Sequence, residues 1–262
     1  MMRSLIALAL GSFCAAASAQ GPPPFPTGPP AVGSSVVVSL DVVLGGAFNG
    51  SAMRTDLLED GLLPTSQPYG AASFSGTDLA YAGAEDASSY LDGASDVVDW
   101  VLVELRTSVS SAPAARAAAL VRSDGTVVRP SGQAGVSFDA SPGDYYVVVR
   151  HRNHLAVMSA SVIDLSSGAG SLDLTAIGAA HSNGGDAQVD LGSGVMGMWG
   201  GDGSADGRLT SSDRNTQWLQ DNGTTGYRVS DFDLNGRVTA SDPNVVWLPG
   251  NGRTSQVPTP SD

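Results

Sequence analysis

Between residues 36 and 44, Val36, Val38, Leu40, Val42 and Leu44 fall on one face of an extended chain, and Val37, Ser39, Asp41 and Val43 on the other. A period of two with one wholly apolar face predicts a strand. In residues 97–106 both faces are apolar, Trp100 and Leu102 on one and Val101, Val103 and Leu105 on the other, so this strand is expected to be buried on both sides. Residues 116–129 read as a hairpin about Asp124-Gly125, the turn in which glycine supplies positive φ. Residues 136–139, 145–152, 155–165 and 172–176 complete about eight strands, separated by turn chemistry such as Ser141-Pro142-Gly143-Asp144. Residues 53–61 suggest one short helical turn ending at Gly61, and the Gly/Ala/Ser/Asp/Tyr-rich stretch to about residue 94 suggests long loops. Strands at this spacing, almost free of helical periods, predict a mainly β fold with an antiparallel β-sandwich over residues 35–195.

The two ends read differently. Arg3, an apolar run from Leu5 to Ala16 and then Ala17-Ser18-Ala19 form the pattern of a cleaved export signal, residues 1–19, with the mature chain starting at Gln20. That run is too short to span a bilayer, which needs about 20 apolar residues, so no membrane insertion is expected. Residues 20–34 are an extended Pro/Gly-rich linker. Cys14, the single cysteine, lies inside the signal and follows Phe13, so the mature protein is expected to hold together without disulfides. These signs place the protein outside the cell as a secreted chain, with attachment to the cell surface left open.

Charge narrows the chemistry. The 13 basic residues are all arginine, against 26 acidic ones, for a net charge of −13. Without lysine there is no phosphate-loop, Schiff-base or kinase chemistry. Without a basic cluster there is no reason to expect nucleic acid as a partner. Only Glu59, Glu85 and Glu104 are glutamates; the remaining acids are aspartates, the short carboxylate suited to oxygen-rich loops around cations.

A self-match near the C-terminus gives the sharpest signal. Residues 202–223 (DGSADGRLTSSDRNTQWLQDNG) and 231–252 (DFDLNGRVTASDPNVVWLPGNG) align at an offset of 29. Each copy places oxygen ligands at positions 1, 3, 5, 7, 9 and 12 of a calcium loop, with glycine at position 6. In the first loop these are Asp202, Ser204, Asp206, the carbonyl of Arg208, Thr210 and Asp213; in the second, Asp231, Asp233, Asn235, the carbonyl of Arg237, Thr239 and Asp242. Three carboxylates per loop repel one another until a hard cation arrives, so two calcium ions are expected to drive folding of this unit. A short helix should follow each loop. Trp218 and Trp247 should form the shared core of the copies, and Leu209 and Val238, both at position 8, are expected to meet across the pseudo-twofold axis.

A duplicated loop-helix unit with aspartate at position 12 resembles the type I-like dockerin family, whose members dock proteins onto cohesin domains with calcium bound. The resemblance spans roughly residues 200–252, within a domain drawn at 196–256 and followed by a disordered tail, 257–262. It implies partner contacts at the two residues before each final ligand, Ser211 and Ser212, and Ala240 and Ser241. The departures lie outside the loops: a longer repeat, Pro249 cutting the second helix, and no basic residues of the kind dockerin helices carry. Residues 97–106 and 142–160 resemble a β module of secreted and surface proteins from Bacteroidetes-like bacteria, and Gly143 to Val149 resembles the last strand of prealbumin-like sandwiches. Neither resemblance implies an activity.

Inside the β region, His151-Arg152-Asn153-His154 is open to a metal- or sugar-binding reading, but reads best as a strand-to-strand turn whose side chains satisfy nearby backbone groups. No nucleophile elbow or thiol nucleophile exists in the mature chain, and no carboxylate pair stands in a recognisable glycosidase setting. The leading expectation is a secreted, non-enzymatic protein that binds a cohesin-like or other extracellular protein. The alternatives are a self-associating structural or adhesive subunit stapled by calcium, and a carbohydrate-binding or polysaccharide-active protein bearing a dockerin.

Overall fold

The computed structural model describes residues 35–260; the expected signal and linker, and the last two residues of the expected tail, lie outside that range. The strands are β1 (Ser35–Asp41), β2 (Val97–Arg106), β3 (Ala115–Arg122), β4 (Val127–Val128), β5 (Val136–Asp139), β6 (Asp144–His151), β7 (His154–Met158), β8 (Ile163–Asp164), β9 (Ala169–Asp173), β10 (Val189–Asp190) and β11 (Met196–Gly197). One sheet runs β5-β1-β9 and the larger one β4-β3-β2-β6-β7, with β8 paired to the start of β6. Val36, Val38 and Leu40 of β1 share a buried core with Phe138 of β5 and with Val101, Val103, Leu105, Val147 and Val149 of the larger sheet. This is the expected mainly β sandwich.

Two details differ from the sequence reading. β1 and β9 run parallel, with Leu40 beside Leu172, so the sandwich is not wholly antiparallel; alternation of side chains fixes a strand's faces but carries no information on its direction. The run 155–165 breaks after Met158, where the Ser159 hydroxyl accepts from the Val147 amide at 3.1 Å in place of a ladder carbonyl. β2 is buried along its whole length as expected, and long loops cover its outer face. Tyr69 donates to the Trp100 carbonyl at 2.8 Å, and the Trp100 indole to the Pro64 carbonyl at 2.8 Å.

Residues 35–260 belong to one compact unit, with no break at residue 195. The β10–β11 ribbon straddles that point, pairing Asp190 with Met196. The tail is also engaged at its start: the Pro258 carbonyl accepts from Arg106 at 2.8 Å. Among the described residues, no helix is long and apolar enough to cross a membrane.

Candidate metal centre and its seat on the sandwich

The two loops are the same object folded twice. Gly207 and Gly236, at position 6, both have φ of 76°, and Ala205 and Leu234, at position 4, have φ of 56° and 57°. Left-handed backbone at a non-glycine residue is uncommon, so its recurrence at equivalent positions marks a shared loop geometry. Position 1 accepts from the amides of positions 5 and 6: Asp202 from Asp206 and Gly207 at 3.2 and 3.0 Å, Asp231 from Asn235 and Gly236 at 3.1 and 2.9 Å. Position 12 closes each loop. Asp213 accepts from Ser204 and Thr210 amides at 3.0 and 2.8 Å, and Asp242 from Phe232, Asp233 and Thr239 amides at 2.7, 3.2 and 2.8 Å.

The second loop brings one carboxylate oxygen each from Asp231, Asp233 and Asp242 within 4.8 Å of one another, the one cluster of three acidic, His or Cys ligands so gathered among the described residues. An all-oxygen, triply anionic set of this kind suits a hard divalent cation. Burial is the first cause of the raised carboxyl pKa values in both loops. Asp202 is pushed up to about 8 by burial and by the charges of Asp213 and Asp206. Asp231 is pushed up to about 7 by burial, against the pull of Arg152, and Asp242 to about 6, by burial and with a further push from Asp233.

These shifts set a sign for pH dependence. A carboxyl whose pKa is higher in the folded chain than its ordinary value of 3.8 supports the fold at low pH and loses that contribution as pH rises through the folded value. Metal-free protein should therefore lose thermal stability as pH rises from about 4 toward 8, most plainly between about pH 6.5 and 8. Below that window His151 and His154, held below their ordinary 6.5 chiefly by burial, act in the opposite direction. A hard divalent cation held by these carboxylates should abolish the loss by taking up their charge. Scanning calorimetry with chelator and with calcium checks this; a metal-free melting temperature that climbs across the window contradicts it.

A helical segment follows each loop: wide turns over Asp213–Trp218 and Asp242–Trp247 continue into Leu219–Asp221 and Leu248–Gly250. Pro249 does not shorten the second helix. The second helical segment ends at Gly250, the position that matches Asp221 at the end of the first. The tryptophans lock the copies together reciprocally, Trp218 donating to the Thr239 carbonyl at 2.7 Å and Trp247 to the Thr210 carbonyl at 3.0 Å.

The expected meeting of Leu209 with Val238 does not occur. Val238 packs with Trp218, Phe232 and Trp247, whereas Leu209 packs with Leu155 and Trp199. Each loop's backbone is instead taken up by the segment after the other copy's helix: Leu209 exchanges hydrogen bonds with Gly252 and Arg253 at 2.8 and 2.9 Å, and Val238 with Gly223 and Thr224 at 2.8 and 2.9 Å. Of the expected partner contacts, Ser211, Ser212 and Ala240 are exposed, and Ser241 is half-buried with its hydroxyl on Asp233 at 2.9 Å.

His151-Arg152-Asn153-His154 does turn β6 into β7, but its partners are distant in sequence, and it forms the seat of the second loop. The Asn153 amide group donates to the Val229 and Asp231 carbonyls at 3.0 and 2.7 Å. The Arg152 guanidinium bonds Asp99 at 2.9 Å, lies 4.1 Å over the Tyr227 ring and reaches to 3.9 Å from Asp231. The histidines form a chain of fixed tautomers. His154 accepts from the Gly46 amide at Nε2 (3.1 Å), so its Nδ1 carries the proton, which faces both Asn153 Oδ1 (2.9 Å) and His151 Nδ1 (3.0 Å), leaving His151 Nε2–H for Asp99 (3.1 Å). Both rings are buried and engaged in these bonds, the arrangement of a turn that satisfies its own and neighbouring polar groups. Gly46 is required for close approach: a Cβ there would lie 2.0 Å from the Phe232 carbonyl.

Sequence reading passed over Asp99 and Glu104, the hubs of the two buried charge networks. The available signal was three charged residues, Asp99, Glu104 and Arg106, in a strand expected to be buried on both sides. The ladder is irregular beside Asp99 in β2 and beside His151 in β6, the two residues that pair at 3.1 Å.

No protein-family model matches this chain, and no curated protein matches it. Among solved structures it is similar to two mutants of a type II cohesin–X-dockerin complex from Acetivibrio cellulolyticus. With a chain of the N-terminal interface mutant it shares 13% identity at a TM-score of 0.37, covering 84% of this chain and 96% of that one. With a chain of the C-terminal interface mutant the values are 18% and 0.35, covering 59% and 82%.

Proposed function

We propose that this is a secreted, non-enzymatic, calcium-dependent docking protein. Asp202, Ser204, Asp206, the Arg208 carbonyl, Thr210 and Asp213 would hold one calcium ion, and Asp231, Asp233, Asn235, the Arg237 carbonyl, Thr239 and Asp242 the other. The observation that carries this reading is the repetition of ligand positions, backbone angles and cross-donating tryptophans in both copies. Bound calcium supplies the positive charge that three carboxylates per loop need at neutral pH.

The docking face is the pair of helices, with Ser211, Ser212, Ala240 and Ser241 at their starts. Three of the five exposed large hydrophobic side chains among the described residues lie on these helices, Leu219, Val245 and Leu248, and Leu219 and Leu248 occupy the same position of the repeat. Apolar side chains repeated on an exposed face suit a protein partner of the cohesin kind.

The test uses the chain from residue 20 onward. It should carry two calcium ions by elemental analysis, and melt at higher temperature with the ion present, since a ligand at a hundred times its Kd adds about 2.7 kcal/mol per site. Asp213→Ala and Asp242→Ala should each remove one ion. Leu219→Asp with Leu248→Asp should keep both ions yet lose calcium-dependent capture of a cohesin. A chain without bound calcium would end this reading, and calcium-dependent dimers in place of capture would assign the face to a second copy of the chain.

A further inference from the structure

The duplicated loops match in sequence, yet they are held very differently. The difference lies at positions 3 to 6: Asp233, Leu234 and Gly236 are buried and Asn235 half-buried, whereas Ser204, Ala205 and Gly207 are half-buried and Asp206 is exposed; positions 1, 2, 8 and 12 are buried in both copies, Arg208 and Arg237 are exposed, and Thr239 is more exposed than Thr210. The sandwich grips the second loop from two sides. Arg54 donates to the Asp233 carbonyl at 2.5 Å and lies 3.9 Å from its carboxylate, while also facing the more exposed Asp56 at 3.6 Å. Asn153 and Arg152 take the other side, through the Asp231 carbonyl and carboxylate. Leu234 lies in the main core. The first loop touches the sandwich through Gly201 and Asp202, whose amides reach the Asn153 carbonyl at 2.9 and 3.0 Å, through Leu209, and through the half-buried Ala205 at the edge of the main core, with no side-chain hydrogen bond from the sandwich to its ligand residues among the described residues. Beyond these it pairs with Trp247, through the Thr210 carbonyl, and with residues 252–255 of the C-terminal segment.

We infer that calcium acts unequally on the two copies: the second loop is held in shape by Arg54, Arg152 and Asn153, while the first loop and the C-terminal segment paired with it are what the ion orders. This rests on the calcium reading above. The guanidinium groups of Arg54 and Arg152 offset part of the repulsion among Asp231, Asp233 and Asp242, and no arginine of the sandwich stands in that relation to the first loop in the ion pairs described. The molecule thus has a constitutive half and a conditional half. Calcium would control how the first helix is presented and whether the strap at 252–258 stays fastened over Arg106.

The repeat supplies its own control, because four amides of each copy make equivalent hydrogen bonds: Ser204, Gly207, Thr210 and Ser255 in the first, and Asp233, Gly236, Thr239 and Gly226 in the second. Amide hydrogen exchange of the chain from residue 20, with calcium and with chelator, compares them directly. On chelation the first four should lose protection at least about tenfold and the second four less than about threefold, since local opening reports local stability. Asn153→Ala should bring the second set under calcium control. If that variant does not fold, Arg54→Gln tests the same point, with Arg54→Lys expected to behave as wild type. Equal losses in both sets, larger losses in the second, or calcium bound with no change in either would overturn the inference. Absence of bound calcium by elemental analysis would instead strike down the reading beneath it.

Discussion

Replacing Arg152 with methionine is expected to cost about 3–5 kcal/mol of stability, the range for breaking a buried ion pair from one side. Asp99 is fully buried. Burial alone would raise its pKa, but Arg152 first, then His151 and Tyr227, outweigh that and hold the carboxyl well below its ordinary range. With methionine in place, Asp99 keeps the His151 ring at 3.1 Å, the Tyr227 hydroxyl at 2.6 Å and the Trp100 amide at 2.7 Å but no positive partner, and must either carry an uncompensated charge or take up a proton. The second loop loses its contact to Asp231 in the same step, and a guanidinium bond to the Arg228 carbonyl. Denaturant unfolding checks the magnitude. The double change Arg152→Met with Asp99→Asn should recover part of the loss, because the stranded charge is gone. A loss under about 1 kcal/mol would mean that the network contributes little, as surface pairs do.

Glu104→Gln should be comparably severe, at about 3–5 kcal/mol, for the complementary reason. One buried carboxylate accepts from three guanidinium groups: Arg106 at 3.0 Å, Arg150 at 2.9 Å and Arg116. A glutamine turns one of those acceptor oxygens into an NH2 facing donors, and removes the only buried negative charge among three arginines; Asp78, 3.0 Å from Arg150, is half-exposed. Arg106 also holds the Pro258 carbonyl, so the strap should become more open to proteolysis in this variant. Glu59→Gln is the control, since Glu59 is exposed and its loss should stay within about 0.5 kcal/mol. Equal effects of the two changes would refute the buried-network account.

The two networks explain why parts of this protein are readable from sequence and parts are not. β2 announces itself because ten consecutive residues satisfy an extended pattern locally, and its burial on both faces follows from apolar side chains on both. The charges inside it do not announce their partners. Glu104 is 46 residues from Arg150, and Asp99 is 53 from Arg152 and 128 from Tyr227. The His151-Arg152-Asn153-His154 turn was legible as a turn for the same local reason. Its role in seating the second loop was not, because the Val229 and Asp231 carbonyls it holds lie more than 70 residues away.

What the amino-acid sequence determined by itself is what short-range geometry dictates: the strands, the Asp124-Gly125 turn, and two loops whose ligand spacing closes on its own backbone amides. The tertiary structure alone decided which loop is gripped by the sandwich, that β1 and β9 run parallel, and that each loop pairs with the other copy's trailing segment, so that Leu209 and Val238 part company. The physical reason is that an oxygen-lined loop is specified by neighbours within twelve residues, whereas the surface it settles on is specified by packing between segments that only meet once the chain has folded.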